Sequence, residues 1–414
     1  MDRLFFTKNR EKFAGRMADD SMAVFFSGIY RRDTNDQLAY PFSVDRNFYY
    51  FTGIDRDNMI LLFWKSRGRT QCYLFLPPVD EHYEKWQAKM MRPAEAAAVS
   101  GIENVLYTYQ FETEFDNRVF LSGSTKSVYL YSNIAGLHEP QTLYAQFADR
   151  LRRTYPAMEI LNPLDILTEL RGSKEPEEVE LTQQAVDLAI GALTHTAALM
   201  EPGIAEYQIK AHYIHYLSMH GSAPRFRSVV AAGKNATILH YNEANYVTGA
   251  QDMVLMDVGA LNGWYVSDLT RTFPVSGRFT PRQREVYDIV LEALAIGMDA
   301  LCVGTTEFAV NAKIKEFYAG ALKSLGLIDD AREVERYYFH GSGHPIGLDL
   351  HDYRRLDRVI PKNCLHTMEP GLYIPEWGIG IRIEDNVLVT EDGVVNLSQA
   401  LPRTANDVEN MVAP

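Results

Sequence analysis

Two segments of this chain place acidic residues where the backbone would bring them together. In 256–272, MDVGALNGWYVSDLTRT, Asn262-Gly263 sits between two strand-like runs. Asn-Gly is the strongest short-range signal for a two-residue type I′ hairpin turn. A turn there sets Asp257 directly opposite Asp268. Facing carboxylates roughly 4.5–5.5 Å apart repel unless a positive charge lies between them. One buried and one solvated Asp, or a bulge that slips the register, would account for the pair equally well. The second segment runs from MEPGLY to GIRIED. A turn centred between Glu376 and Trp377 opposes Glu369 to Glu384, with Gly378 and Gly380 giving the loop its freedom. Arg382 precedes Glu384 by two residues, so both occupy the same sheet face.

Together the two hairpins present four carboxylates, with a histidine of the loop His340-Gly-Ser-Gly-His344 as a fifth donor. Four carboxylates balance two divalent cations. Oxygen-rich ligation with one imidazole favours Mn²⁺, with Co²⁺, Zn²⁺ or Fe²⁺ also compatible. Two ions about 3.5–4 Å apart generate a nucleophile at neutral pH and clamp a tetrahedral intermediate. A lone histidine or strand glutamate is more often structural, so the convergence of segments carries the argument.

The elements that must position these residues lie in the second half. Thr280-Pro281-Arg282-Gln283 reads as a capping box with proline at the first helical position. Behind it Val286, Ile289, Val290, Ala293 and Leu294 follow the spacing of a core-facing helix. Further helices are expected at 205–220 and 306–325, and at the start of this half from Pro176 to about residue 200. Long helices against hairpins predict an α+β domain. The first half alternates strand-like runs at 23–26, 47–51, 59–64, 72–76 and 128–131 with helical patterns at 10–18, 81–91 and 141–153. That alternation predicts an α/β domain. The division is expected at 165–172, giving an N-terminal domain over 1–168 and a catalytic domain over 169–414.

The chain has 414 residues, 46% of them hydrophobic and 23% charged, ordinary for a globular protein of two domains. Its net charge of −13 disfavours nucleic acid or an anionic membrane as the main partner. Three widely spaced cysteines suit a reducing compartment, and no secretory signal or membrane-length apolar run is evident, so a cytoplasmic location is expected.

The motifs LHY at 239–241, DxG…DxTRTF, HGxGH…HD, EPGxY and RIE resemble, in this order, the family of methionine aminopeptidase, prolidase and aminopeptidase P. YPF at 40–42 and DRNFYYFTG at 45–53 resemble the amino-terminal domain of aminopeptidase P. LRGSKEPEEVELTQQA resembles the start of its catalytic domain. The resemblance implies an α/β N-terminal domain followed by an α+β pita-bread (creatinase/aminopeptidase-like) catalytic domain. It implies metal ligation by Asp257, Asp268, His344, Glu369 and Glu384. It places His240, His340, His351 and Arg382 at active-site positions. The implied reaction is attack of a hydroxide bridging two metal ions on the carbonyl before a proline. Glu369 would be general base and acid, His340 and His351 would stabilise the oxyanion and hold the peptide carbonyl, and Arg382 would orient carboxylates. Tyr241 and Tyr373 are candidates for the apolar wall that a proline ring requires. Trp86 and Asp36 fall where relatives bring N-terminal-domain residues near the cleft, in some from a neighbouring subunit. A homo-oligomer, dimer or tetramer, is expected on the same basis.

Two features depart from the family pattern. The segment between Tyr373 and Gly380 is short, and Asn363-Cys364-Leu365-His366 replaces a small, apolar lead-in. The intact ligand set argues against a non-catalytic peptide-binding homologue. An Xaa-Pro dipeptidase, or prolidase, would share every ligand.

Overall fold

Apolar runs bounded by caps and turns fold into two compact units, Met1–Leu170 and Arg171–Pro414, in a computed structural model that describes residues 1–30, 42–120, 125–131, 140–354 and 358–412. Asp36 and the Tyr40-Pro41 pair lie outside the described residues.

The first unit is built on a six-stranded mixed sheet. Its order is Asn104–Tyr107, Arg69–Leu76, Ile60–Ser66, Ser21–Phe26, Ser127–Leu130 and Glu159–Leu161. The three strands 21–26, 60–66 and 69–76 run antiparallel in chain order, and the outer strands pair parallel. Phe13, Phe25, Phe51 and Phe63 pack ring to ring on one face with centroids 4.9–5.9 Å apart. The strand expected at 47–51 is instead the helix Arg46–Thr52. Asp45 caps it by accepting from the Asn47 and Phe48 amides, and Gly53 ends it at φ +69°. A short run apolar on every side has no readable period, and the caps decide it.

In the second unit four long helices, Pro176–Ala197, Glu206–Met219, Pro281–Ala300 and Glu307–Ser324, cover small antiparallel sheets. One sheet orders Leu269–Pro274, Met253–Val258 and Val229–Ala232; a second orders Cys364–Met368, Asp385–Thr390 and Gly393–Asn396. A two-stranded ribbon pairs Gly371–Ile374 with Ile379–Arg382. The Thr280 capping box forms, and Val286, Val290, Ala293 and Leu294 behind it are buried in the core. No helix among the described residues is long and apolar enough to cross a membrane.

The first hairpin departs from the expected register. Tyr265 pairs with Asn262, so the turn falls on Gly263-Trp264, and Asp257 stands opposite Thr270 rather than Asp268. Tertiary contacts hold Asn262 inside the strand. Its side-chain amide donates to Gln184 Oε1 at 2.7 Å and Leu181 O at 3.3 Å, and the Tyr265 hydroxyl donates to buried Glu178 at 2.8 Å. A slip of two residues preserves the face, so Asp257 and Asp268 become diagonal neighbours on one side of the sheet. The second hairpin keeps the expected register: Gly371 opposes Arg382, across a 3₁₀ turn Pro375–Trp377 closed by Gly378 at φ +61°. Glu369 and Glu384 lie just beyond the ladder's end, where Glu384 bridges instead to Thr270.

Candidate active site

A cavity of about 700 Å³ opens in the second unit. Asp257, Asp268, His344, Glu369 and Glu384 line it, with His240, His340, His351 and Arg382. Five separate segments thus deliver their polar side chains to one place.

Alternation along Asp268-Leu-Thr-Arg-Thr272 sends Asp268, Thr270 and Thr272 to the site and Arg271 to the other face. There Arg271 is buried against Asp385 at 2.6 Å. Asp268 is anchored through its backbone, its amide donating to Asn386 Oδ1 at 3.0 Å. The Glu384 amide donates to Thr270 O at 3.0 Å, and its Oε2 accepts from Thr270 Oγ1 at 2.7 Å. The Glu369 amide donates to Ser342 O. His344 is set by its own amide, which donates to Thr367 Oγ1 at 2.9 Å. Its Nδ1 lies 3.2 Å from Pro345 O, an acceptor only, so Nδ1 carries the proton and Nε2 offers a lone pair. That Nε2 is 3.4 Å from Asp268 Oδ2 and 3.9 Å from Glu369 Oε1.

Donor atoms of Asp268, His344 and Glu384 all lie within 4.8 Å of one another, and all three residues are buried. Asp268 Oδ1 and Glu384 Oε1 are buried with no hydrogen-bond partner. Burial and the neighbouring Asp257 push the Asp268 carboxyl well above its ordinary range, against Arg382. Burial, Asp268 and Glu369 do the same to Glu384. Burial pushes Glu369 up to about 7, with His344 and Arg382 opposing and Asp268 and Asp257 adding to it. Crowded carboxylates with orphaned oxygens and one imidazole lone pair fit a divalent cation.

Behind the carboxylates runs a hydrogen-bonded chain. Arg382, fully buried, donates to Asp257 Oδ2 at 2.6 Å, to the Tyr373 hydroxyl at 2.7 Å and to Thr270 Oγ1 at 3.2 Å. Tyr373 in turn meets His340 Nε2 at 2.9 Å, while His340 Nδ1 faces Gly341 O at 2.8 Å. The carbonyl requires a proton on Nδ1, so Nε2 accepts from Tyr373. Burial, then the neighbouring Arg382 and His240, hold His340 down at about 3 against the Gly341 carbonyl, so it is neutral. Both ring nitrogens are engaged, and the free N–H expected of an oxyanion donor is not offered by His340. His351 differs. Its ring packs on His344 with centroids 4.0 Å apart and has no hydrogen-bond partner among the described residues. Burial lowers it to about 4, with the neighbouring His344 and Arg354 adding to the effect.

Tyr241 and Tyr373 do not form the expected apolar wall. Neither lines the cavity, because the hydroxyl of each is drawn into buried polar contacts. Tyr241 donates to Glu206 Oε2 at 2.9 Å, and Tyr373 joins the chain above. Phe226, Leu239, Phe308 and Leu350 form the wall instead. No local period marks them; only Leu239, beside His240, and Leu350, beside His351, were adjacent to a motif. Thr270 and Tyr373 were likewise unassigned as partners of Glu384 and Arg382, although the alternation of Asp268-x-Thr270-x-Thr272 contained that signal. Trp86 is 74% exposed at the end of the helix Glu81–Trp86 in the first unit.

Residues 180–391 match metallopeptidase family M24, and 6–129 match the aminopeptidase P N-terminal domain. A Haemophilus influenzae Xaa-Pro aminopeptidase is 32% identical over 98% of this chain and 96% of its own. The structure of a putative aminopeptidase P from Bacillus anthracis superposes with a TM-score of 0.96 at 36% identity, covering 99% of this chain and 98% of that one. Zn-substituted E. coli aminopeptidase P in complex with product superposes at 0.90 and 28% identity, with the same coverage. With these full-length matches, the two-unit fold and the acidic site, the chain belongs to metallopeptidase family M24, in the aminopeptidase P branch that carries its own N-terminal domain.

Proposed function

We propose that this chain is a metal-dependent exopeptidase that releases the N-terminal residue from peptides with proline in second position. The observation that carries this reading is the buried convergence of Asp268, His344 and Glu384 beside Asp257 and Glu369, in a chain matched end to end by Xaa-Pro aminopeptidases. A dipeptidase is not favoured by those relatives, and the full donor set speaks against a non-catalytic peptide-binding homologue.

Asp257, Asp268, His344, Glu369 and Glu384 would hold two divalent ions, with Mn²⁺ best suited to four carboxylates and one imidazole. Bound there, the ions would supply a water activated at neutral pH and offset the carboxylate charge. The remaining work falls to the chain. Glu369 has a side chain 20% exposed, against 15% for Asp257 and 8% for Asp268, so it faces the cavity most openly. That suits it to take a proton at a carboxylate oxygen and pass it to the leaving proline nitrogen. Arg382 fixes Asp257 and, through Tyr373, fixes His340. His351 holds its N–H toward the substrate carbonyl, and exposed His240 borders the substrate. Phe226, Leu239, Phe308 and Leu350 offer the apolar surface for the proline ring.

The chain would assemble as a homo-oligomer, dimer or tetramer. The three cysteines are free, which accords with a reducing, cytoplasmic setting.

The test is cleavage by metal-stripped protein reloaded with Mn²⁺. A Gly-Pro dipeptide is compared with an Arg-Pro-Pro peptide, and Glu369→Ala is run beside wild type. Release of arginine from the longer peptide is expected, and Glu369→Ala should lose roughly 10²–10⁴ of the rate. Cleavage of the dipeptide alone would transfer the assignment to prolidase. Absence of hydrolysis of either would leave a binding protein.

A further inference from the structure

The second unit begins with two fully buried cations, Arg171 and Lys174, 1% and 3% exposed. Buried cations are costly unless paired, and both are directed at one carboxylate. Arg171 Nη2 donates to Asp352 Oδ1 at 2.7 Å and to Asp349 Oδ2 at 2.8 Å. Lys174 Nζ donates to Asp352 Oδ2 at 3.0 Å and also to the carbonyl of Arg171. The Arg171 guanidinium further covers the ring of Tyr353, 4.4 Å from its centroid. Asp352 is itself tied at the backbone, its amide donating to Pro345 O at 2.9 Å and its Oδ1 accepting from the Tyr353 amide at 2.8 Å. Asp352 therefore has no freedom of its own, and it is the immediate neighbour of His351.

His351 is otherwise loosely held: its ring is in the cavity, packed on His344, with no hydrogen bond of its own among the described residues. Apart from that packing on His344, its direction is set through the backbone it shares with Asp352. Gly347 is part of the same device. A Cβ there would overlap Asp352 Oδ2 and press on Lys174 Cε, so the clamp closes only over a glycine.

We propose that Arg171, Lys174 and Asp352 are positioning residues that aim the His351 imidazole at the substrate. The clamp touches no substrate and acts only through His351. This inference rests on the peptidase reading above, because it needs a turnover to observe.

The experiment is a double-mutant cycle on Mn²⁺-loaded full chain with an Arg-Pro-Pro peptide. Lys174→Met leaves the Arg171–Asp352 pair intact, and Gly347→Ala leaves every charge in place. Each single variant is expected to lower kcat by roughly 10–100-fold, with KM changed less than about threefold. In a His351→Ala background the same substitutions should cost little more, because the group they aim is gone. Lys174→Arg should restore part of kcat. Thermal melts of every variant accompany the kinetics. Losses that multiply in the His351→Ala background would show that the clamp supports the fold generally, and would overturn the proposal. Single variants that fold and keep wild-type kcat would overturn it too. A wild-type protein that cleaves nothing would instead refute the peptidase reading, which keeps the two failures apart.

Discussion

Arg382 Nη2 lies 2.6 Å from Asp257 Oδ2, and the guanidinium is 1% exposed. One arginine thereby aligns a site carboxylate while its other nitrogens hold Tyr373 and Thr270. Removing it, as in Arg382→Met, should weaken Mn²⁺ binding by about 10–100-fold, the usual cost of losing a partner that orients a ligand. Arg382→Lys should recover little, since an ammonium cannot span Asp257 and Tyr373 together. Titration calorimetry with Mn²⁺ checks both, and unchanged affinity in Arg382→Met would refute the role.

Tyr373 is a polar link rather than a wall. Tyr373→Phe keeps the ring and strips the hydroxyl, leaving Arg382 Nη1 and His340 Nε2 without their shared partner. The expected loss is about 1–3 kcal/mol of stability. A cooperative unit of this size shifts by about 2–4 °C per kcal/mol, within reach of calorimetry. A variant as stable as wild type would mean that water takes over the link.

Acid should act through Asp352. Burial alone raises this carboxyl, but the charges of Arg171 and Lys174 outweigh burial, so the folded value lies below the ordinary one. Folding then favours the charged form. That contribution is whole above the unfolded value near ~3.9 and is lost as pH falls through the folded value. Asp352→Asn should be less stable than wild type at neutral pH by about 3–5 kcal/mol, with the gap narrowing below about pH 4. Urea melts across that range measure it, and a gap independent of pH would count against the ion pair.

Gly259 marks the point where the first hairpin's ladder breaks beside Asp268. A Cβ at this position would run into Ser267 O and the Phe226 ring. Gly259→Ala should destabilise by about 1–3 kcal/mol through overpacking, and weaken Mn²⁺ binding by displacing Asp268. Gly15→Ala is the control. It lies in the helix Arg3–Arg16, meets nothing within 4 Å, and should be neutral or stabilising by about 0.5–1 kcal/mol. Calorimetry separates the two outcomes.

Residue types and spacing alone singled out four carboxylates and a histidine of the 340–344 loop as candidate donors, with the α/β and α+β division, the Thr280-capped helix and the register of the Glu369/Glu384 hairpin; His344 itself was named by the family resemblance. These are local matters of caps, turns and alternation, carried by neighbours in the chain. Other features depended on partners far away in sequence. Asn-Gly lost its turn because Gln184, Leu181 and Glu178 reward Asn262 and Tyr265 for staying in strands. Residues 47–51 became a helix because a cap at each end outweighed an apolar run with no period. Tyr241 and Tyr373 left the cavity wall because a buried hydroxyl must find a partner, and Glu206, Arg382 and His340 supply it. The chain's order specified which groups meet, and only tertiary packing decided which face each presents, because desolvated polar atoms choose the partners that satisfy them.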